Sequence, residues 1–186
     1  MKKRKWCSTS IAISLFLLIV SLAGCTPGES GESRTFRTYK DKDYGFSISY
    51  PRDWEIVSDE RISGMKIVAF WNPRDENRGK PVFTLAKDNR TAETNSQSYF
   101  EEVRENLELA KIYNYSFISK DEVVVDRMPA IKHIFNFDGD VETLASMQVY
   151  VAQSKSVWIM TLLCAPEHFG SLESTFDAMV SSFHLF

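Results

Sequence analysis

Along residues 44–50 large apolar and small side chains alternate without a break. Tyr44, Phe46, Ile48 and Tyr50 fall on one face, Gly45, Ser47 and Ser49 on the other. A period of two over that length predicts a half-buried strand. Pro51 stops it, and Pro51-Arg52-Asp53 predicts a turn that delivers Trp54 into a second strand, Trp54 to Val57. Lys66 to Trp71 reads as a third strand, closed by Asn72-Pro73. Residues 75–80 form a charged, glycine-containing loop, and Pro81 to Lys87 a fourth strand.

The period then changes. Ser98-Tyr99-Phe100-Glu101 has the form of a capping box, in which the Ser oxygen accepts from the Glu101 N–H and the carboxylate reaches back. Phe100, Val103, Leu107 and Ala110 follow at helical spacing, with Glu101, Glu102, Arg104, Glu105 and Glu108 on the outer face, so a helix is expected to about Ile112. Two strands are expected near Tyr115 to Ser119 and Glu122 to Asp126. Pro129 interrupts, and Ala130 to Phe137 is a further strand. Asp138-Gly139 is a hairpin signal with a return strand Ser146 to Gln153. Val157 to Cys164 is apolar at both parities, which predicts a central strand covered on both faces. Leu172, Phe176, Met179, Val180 and Phe183 predict a closing helix. Hairpins around one inserted and one terminal helix predict an α+β fold, an α/β/α sandwich with a central, mostly antiparallel sheet and two main helices.

The first 38 residues are of another kind. Lys2, Lys3, Arg4 and Lys5 precede an apolar run from Ile11, which ends in Leu22-Ala23-Gly24-Cys25. A basic head, an apolar middle and small residues before the break are the marks of a secretory signal. The run falls short of the roughly 20 residues that span a bilayer core. The cysteine after Ala-Gly resembles the lipobox of bacterial lipoproteins, which implies a lipid on Cys25 and removal of residues 1–24. Two or three acyl chains such as palmitate would anchor stably, each buried CH₂ adding about 0.8 kcal/mol. Residues 25–38, rich in Gly, Ser and Pro near their start, read as a flexible tether, and residues 39–186 as one globular domain.

Removing the signal changes the charge. The 186-residue chain has 22 basic and 25 acidic residues, and four of the basic ones lie ahead of the break, so the mature part carries −7 rather than −3. An acidic surface argues against nucleic acid as a partner. The signal also takes Cys7, and the lipid takes Cys25. Cys164 is then left without a disulfide partner inside an apolar run, where an inert, buried thiol is expected.

Candidate chemistry is sparse. Asp138, Asp140 and Glu142 alternate as oxygen ligands for Ca²⁺ can, but three carboxylates are too few and no full calcium loop surrounds them, so a solvated hairpin turn is the better reading. His133, His168 and His184 share no metal-ligand spacing. His133 has the strand parity of Ile131, Phe135 and Phe137 and is expected at the core edge, hydrogen-bonded. There is no Gly-x-Ser-x-Gly and no glycine-rich phosphate loop, so no enzymatic activity and no cofactor is expected. Tyr50, Trp54 and Trp71 lie near strand ends and turns, where aromatics either plug the end of a sandwich or line a cleft. Residues 72–80, with Arg74, Arg78 and Lys80 beside Asp75 and Glu76, offer a mixed-charge partner surface.

Asp43-Tyr44-Gly45-Phe46-Ser47-Ile48-Ser49-Tyr50-Pro51-Arg52-Asp53-Trp54 resembles the opening of PsbP-like domains, a Gly-Phe-x-Ile-x-Tyr-Pro strand followed by x-x-Trp. Ser174 to Phe183 resembles the family's closing helix, which finishes in Ser-Phe. The resemblance covers residues 39–186 and implies an α/β/α sandwich of the type shared with a nuclear Ran-binding protein. It also implies a non-enzymatic role, as for the extrinsic photosystem subunit that gives the family its name. No residue matches the family's metal or partner contacts. The expectation is therefore a lipoprotein outside the cytoplasm, held to membrane lipid through acylated Cys25, with a non-catalytic accessory or binding module for a membrane complex or envelope component. A small-ligand or metal-binding lipoprotein is the alternative, and an envelope hydrolase with a spatially assembled site the third reading.

Overall fold

The computed structural model describes residues 35–62, 65–73, 82–109, 114–139 and 142–186. The signal sequence, Cys25, residues 74–80 and the expected end of the first helix lie outside them. Seven antiparallel strands form the main sheet in the order β3 (Glu55–Ile62), β4 (Met65–Trp71), β5 (Val82–Asn89), β9 (Ser156–Cys164), β8 (Thr143–Gln153), β7 (Met128–Asp138), β6 (Ser116–Val125). A small sheet holds β1 (Phe36–Asp41), β2 (Phe46–Pro51) and β10 (His184–Leu185), with β2 in the middle. Helix α1 (Ser96–Leu109) covers one face of the main sheet, over β7 and β8. Helix α2 (Phe169–Ser181) and the small sheet cover the other. The layers are those of the expected sandwich.

β9 lies at the centre of the main sheet, where a strand apolar at both parities belongs. Its two faces are nevertheless unequal. Trp158, Met160, Leu162 and Cys164 are buried in the large core with Phe46, Phe70, Phe83, Phe176 and Phe183. On the α1 face Val157 is buried, but Ile159, Thr161 and Leu163 are only half-buried. Full cover on both faces therefore holds at one end of the strand alone.

Several boundaries differ from expectation, and three of the differences have a local physical cause. β1 begins at Phe36, inside the segment 25–38 expected as tether, and pairs along its length with β2 from Phe36–Pro51 to Asp41–Phe46. Its two apolar residues, Phe36 and Tyr39, stand at opposite parities and both pack against the large core, and the strand is held further by main-chain pairing and by Arg37. The Arg37 guanidinium lies 4.8 Å over the Tyr50 ring and donates to the Trp54 carbonyl at 2.5 Å. Second, α1 starts at Ser96 and its cap is Asn95, whose Oδ1 accepts from the Ser98 N–H at 2.8 Å. Ser98 is thus inside the first turn and exposed, not the cap. Third, the two strands expected at 115–119 and 122–126 are one, β6, with a bulge between Phe117 and Ser119. The break comes at Asp126 and Arg127, both with positive φ (48° and 66°), which make the two-residue turn into β7. Pro129 sits within β7, opposite Val124.

The two motifs that resemble PsbP-like domains meet in space. Gly45 has φ +68°, and a Cβ there would lie 2.8 Å from the Phe186 carbonyl, so only glycine fits the turn. Asp41 closes that turn by accepting from the Asp43 and Tyr44 N–H groups and pairing with Lys66 at 3.0 Å. Phe183 packs on Phe46 and Trp158, and the Ser182 hydroxyl accepts from the Ser49 N–H.

Candidate functional site

The polar interior of the α1 side is organised on His133. β6 and β8 flank β7, so Tyr115, just before β6, and Tyr150 reach the imidazole from either side. His133 is fully buried, with Nε2 3.0 Å from the Tyr115 hydroxyl and Nδ1 3.1 Å from that of Tyr150. Tyr150 in turn donates to Gln148 Oε1. That last bond sets all the others. With its proton given to Gln148, Tyr150 can only accept, so His133 carries its proton on Nδ1 and its Nε2 accepts from Tyr115. Every O–H and N–H in the row points the same way.

The electrostatics agree with a neutral ring. Burial, helped by the nearby charge of Arg104, pushes His133 down to about 4. Burial pushes Tyr115 up to about 12, with Glu108 adding to it, and Tyr150 well above its ordinary value. Phe100 of α1 meets the imidazole edge-on at 5.0 Å, and Phe135 lies at 4.6 Å. Both ring nitrogens are taken within the fold, as expected of a hydrogen-bonded core histidine rather than a ligand or a base.

A cleft of about 520 Å³ opens beside this network, at the start of α1. Asn95, Ser96 and Gln97 form one wall, Lys120, Glu122 and Val124 of β6 the other. Ser96 is buried at its base. Its hydroxyl donates to the Pro129 carbonyl at 2.8 Å and accepts from the Ala152 N–H at 3.1 Å. The serine hydroxyl is thus inserted between the Pro129 C=O and the Ala152 N–H and links the two strands just beyond the end of their register at Ala130 and Val151. Nothing in the local sequence signals this role, because its partners lie 33 and 56 residues away.

The sequence candidates are dispersed. Tyr50 and Trp54 are buried in the large core, the Tyr50 ring tilted at 41° against Phe70 with centroids 4.6 Å apart. Trp71 alternates with Phe70 and so lies on the opposite face of the sheet, half-buried. Tyr50 and Trp54 therefore fill the interior of the sandwich, Trp71 lies apart from them, and among the described residues the three share no cleft. Asp138 accepts from Asn114 Nδ2 at 2.6 Å and Thr143 Oγ1 at 2.8 Å, which holds its carboxyl below the usual range. The Glu142 carbonyl accepts from the Gly139 N–H, and Asp140 lies outside the described residues. Among the described residues no three His, Cys, Asp or Glu side chains converge as metal ligands would. Cys164 is buried, and burial raises its thiol to about 11. His184 pairs with Asp126 (2.9 Å), whose second oxygen accepts from the Leu185 N–H; this clasp fastens β10 to the β6–β7 turn.

Fold and motifs together define an α+β sandwich opened and closed by two interlocking signatures. The chain belongs to the PsbP-like protein family, whose profile matches residues 25–185. Among solved structures it is similar to the cyanobacterial PsbP (CyanoP) of Synechocystis sp. PCC 6803, at 16% identity and a TM-score of 0.61, over 89% of this chain and 99% of that one. It is also similar to the Saccharomyces cerevisiae Ran-binding protein Mog1p, at 11% identity and a TM-score of 0.56, over 82% and 96%. LpqN of Mycobacterium tuberculosis, described as involved in cell envelope biogenesis, matches at 12% identity and a TM-score of 0.53, over 86% and 89%. No curated protein matches the chain. Among the described residues no helix is long and apolar enough to cross a membrane.

Proposed function

We propose that the chain is a lipoprotein held outside the cytoplasm by an acylated Cys25, and that its PsbP-like domain is a non-catalytic binding or accessory module for a membrane complex or an envelope component. The observation that carries the non-catalytic part is the closed row Tyr115–His133–Tyr150–Gln148. The buried imidazole has both nitrogens engaged and a depressed proton affinity, which suits a rigid scaffold and not general-base chemistry. Leu22-Ala23-Gly24-Cys25 supports the anchor, and membership of the PsbP-like family supports an accessory role. The envelope role stated for LpqN favours an envelope component among the partners.

Mass spectrometry of the membrane-extracted protein is the test of the anchor. The expected N-terminus is a diacylglyceryl-Cys25, with Cys25→Ala left unlipidated and uncleaved; an intact N-terminus with an unmodified Cys25 overturns it. For the accessory role, cross-linked membranes solubilised in detergent should yield one reproducible partner that an unrelated lipoprotein does not capture. Recovery of none, or turnover in a broad esterase and peptidase screen, overturns that part.

A further inference from the structure

β6 is an outer strand of the main sheet, and Ser116, Phe117, Ile118, Asp121, Glu122 and Val124 along it are all exposed. Among the described residues no strand pairs with its outer side, and the hydrogen-bonding groups that face that side can be assigned. Val125 and Met128 flank the two-residue turn and exchange both their bonds. Alternation then directs Val125, Val123 and Asp121 to β7, and leaves the N–H and C=O of Val124, Glu122 and Lys120 facing outward. Pro129 opposite Val124 agrees, since a pair containing proline on that side cannot exchange bonds.

Charges on an outer strand ordinarily prevent pairing, but these are self-complementary. Read outward from Asp121, the outward-facing positions carry Lys120 on one side and Glu122 on the other, then Ile118 and Val124 beyond. We propose that β6 pairs antiparallel with β6 of a second copy about a two-fold axis at Asp121, forming a homodimer through a continuous sheet. Lys120 of each copy then lies opposite Glu122 of the other in a hydrogen-bonded pair. Val124, 74% exposed, lies opposite Ile118, 52% exposed. A slip by two residues either way sets Lys120 on Lys120 or Glu122 on Glu122, so one register is selected. The bulge at Phe117 to Ser119 limits the ladder to the middle of the strand, and the two Asp121 side chains, meeting on the α2 face, weaken it. The result is a weak, isologous dimer, and the inference does not depend on the functional reading above.

The register is testable by cysteine cross-linking of the full chain in membranes. Asp121→Cys places two thiols in a non-hydrogen-bonded pair at the axis, about 4.5 Å apart between Cα atoms, within disulfide reach. It should give a disulfide-linked dimer on mild oxidation, whereas Val123→Cys, opposite Ser119, should not. Lys120→Glu or Glu122→Lys alone should lower the dimer yield roughly ten-fold by setting like charges opposite each other in both symmetric pairs. The double swap should restore it. Sedimentation of the charge variants gives the same reading without a cysteine. Equal cross-linking at positions 121 and 123, none at 121 while its thiol reacts with maleimide, or indifference to the charge swap would overturn the proposal.

Discussion

Ser182 Oγ accepts from the Ser49 backbone N–H at 2.8 Å and donates to the Met179 carbonyl at 2.7 Å. β10 pairs with β2 only at Ser47 and Phe46, so beyond that short strand the Ser182 hydroxyl takes the place of the next ladder partner. Ser182→Ala leaves the Ser49 N–H without it, and a loss of about 1–2 kcal/mol is expected. The urea midpoint should fall for Ala and recover for Ser182→Thr; an unchanged midpoint for Ala would show that water replaces the hydroxyl.

Ser96 plays the same part at the other end of the molecule, between Pro129 and Ala152. Deeper burial makes the expected loss for Ser96→Ala larger, about 2–3 kcal/mol. Removing the cap with Asn95→Ala should cost about 1 kcal/mol, and Ser98→Ala, on the exposed first turn, less than about 0.5 kcal/mol. Chemical denaturation of the three variants checks the order, and a Ser98→Ala loss equal to that of Asn95→Ala would return the cap to Ser98.

His133 gives the domain an acid limit. Its folded proton affinity is depressed from 6.5 to about 4, so below pH 6.5 the unfolded chain takes up a proton that the folded one refuses. Stability is therefore full above pH 6.5 and falls as pH drops towards 4, by roughly 3 kcal/mol at about 1.4 kcal/mol per pH unit. His133→Gln should be less stable at neutral pH but lose this slope between pH 6.5 and 4. Nitrogen-15 spectra of the wild type should show the proton on Nδ1 and a bare Nε2 at pH 7; the reverse tautomer would contradict the direction of the hydrogen-bonded row.

The Asp126 clasp is expected to govern the last strand rather than the whole domain. Its carboxyl is held below the usual 3.8 by the Leu185 N–H and by His184. The contribution is thus present above pH 3.8 and is lost as pH falls through the lowered value. Asp126→Ala should speed hydrogen exchange at the Leu185 amide at least ten-fold while leaving the β8 and β9 amides unchanged. Equal acceleration everywhere would mean that the clasp holds up the global fold.

Where pattern alone decides a position, the sequence reads well. The alternation from Tyr44 to Tyr50 and the stripe from Leu172 to Phe183 each report burial of one face, and each is found there, whereas the doubly apolar run at Val157 to Cys164 marks the central strand but is fully covered on the α2 face alone. What escapes it depends on partners remote in the chain. Asn95 and Ser98 both carry capping side chains near the start of α1, and Glu101 stands at the spacing that completes a capping box with Ser98. Ser96 is drawn inward by Pro129 and Ala152, and that sets the start of the helix instead. β1 shows no period because its two apolar residues, Phe36 and Tyr39, stand at opposite parities, and its order comes from β2, Arg37 and the core those two rings pack against. The hydrogen bonds of His133 follow from the register of β6, β7 and β8, and Tyr50 and Trp71 separate only once Tyr50 is known to belong to a different sheet.

β9 alone joins β5 to β8, pairing Val82 with Leu163 and Asn89 with Ser156 across a wide interval of sequence. A growing chain that stops short of Ser156 holds two unconnected meanders, each with one bare inner edge and with Phe83, Leu85, Met147 and Val149 left unburied. Closure then waits for β9 to be synthesised and to pair with a strand remote in sequence, which predicts slow acquisition of the native state. It also predicts a nascent chain that stays threadable, and in need of a chaperone, until Ser156 to Cys164 emerge.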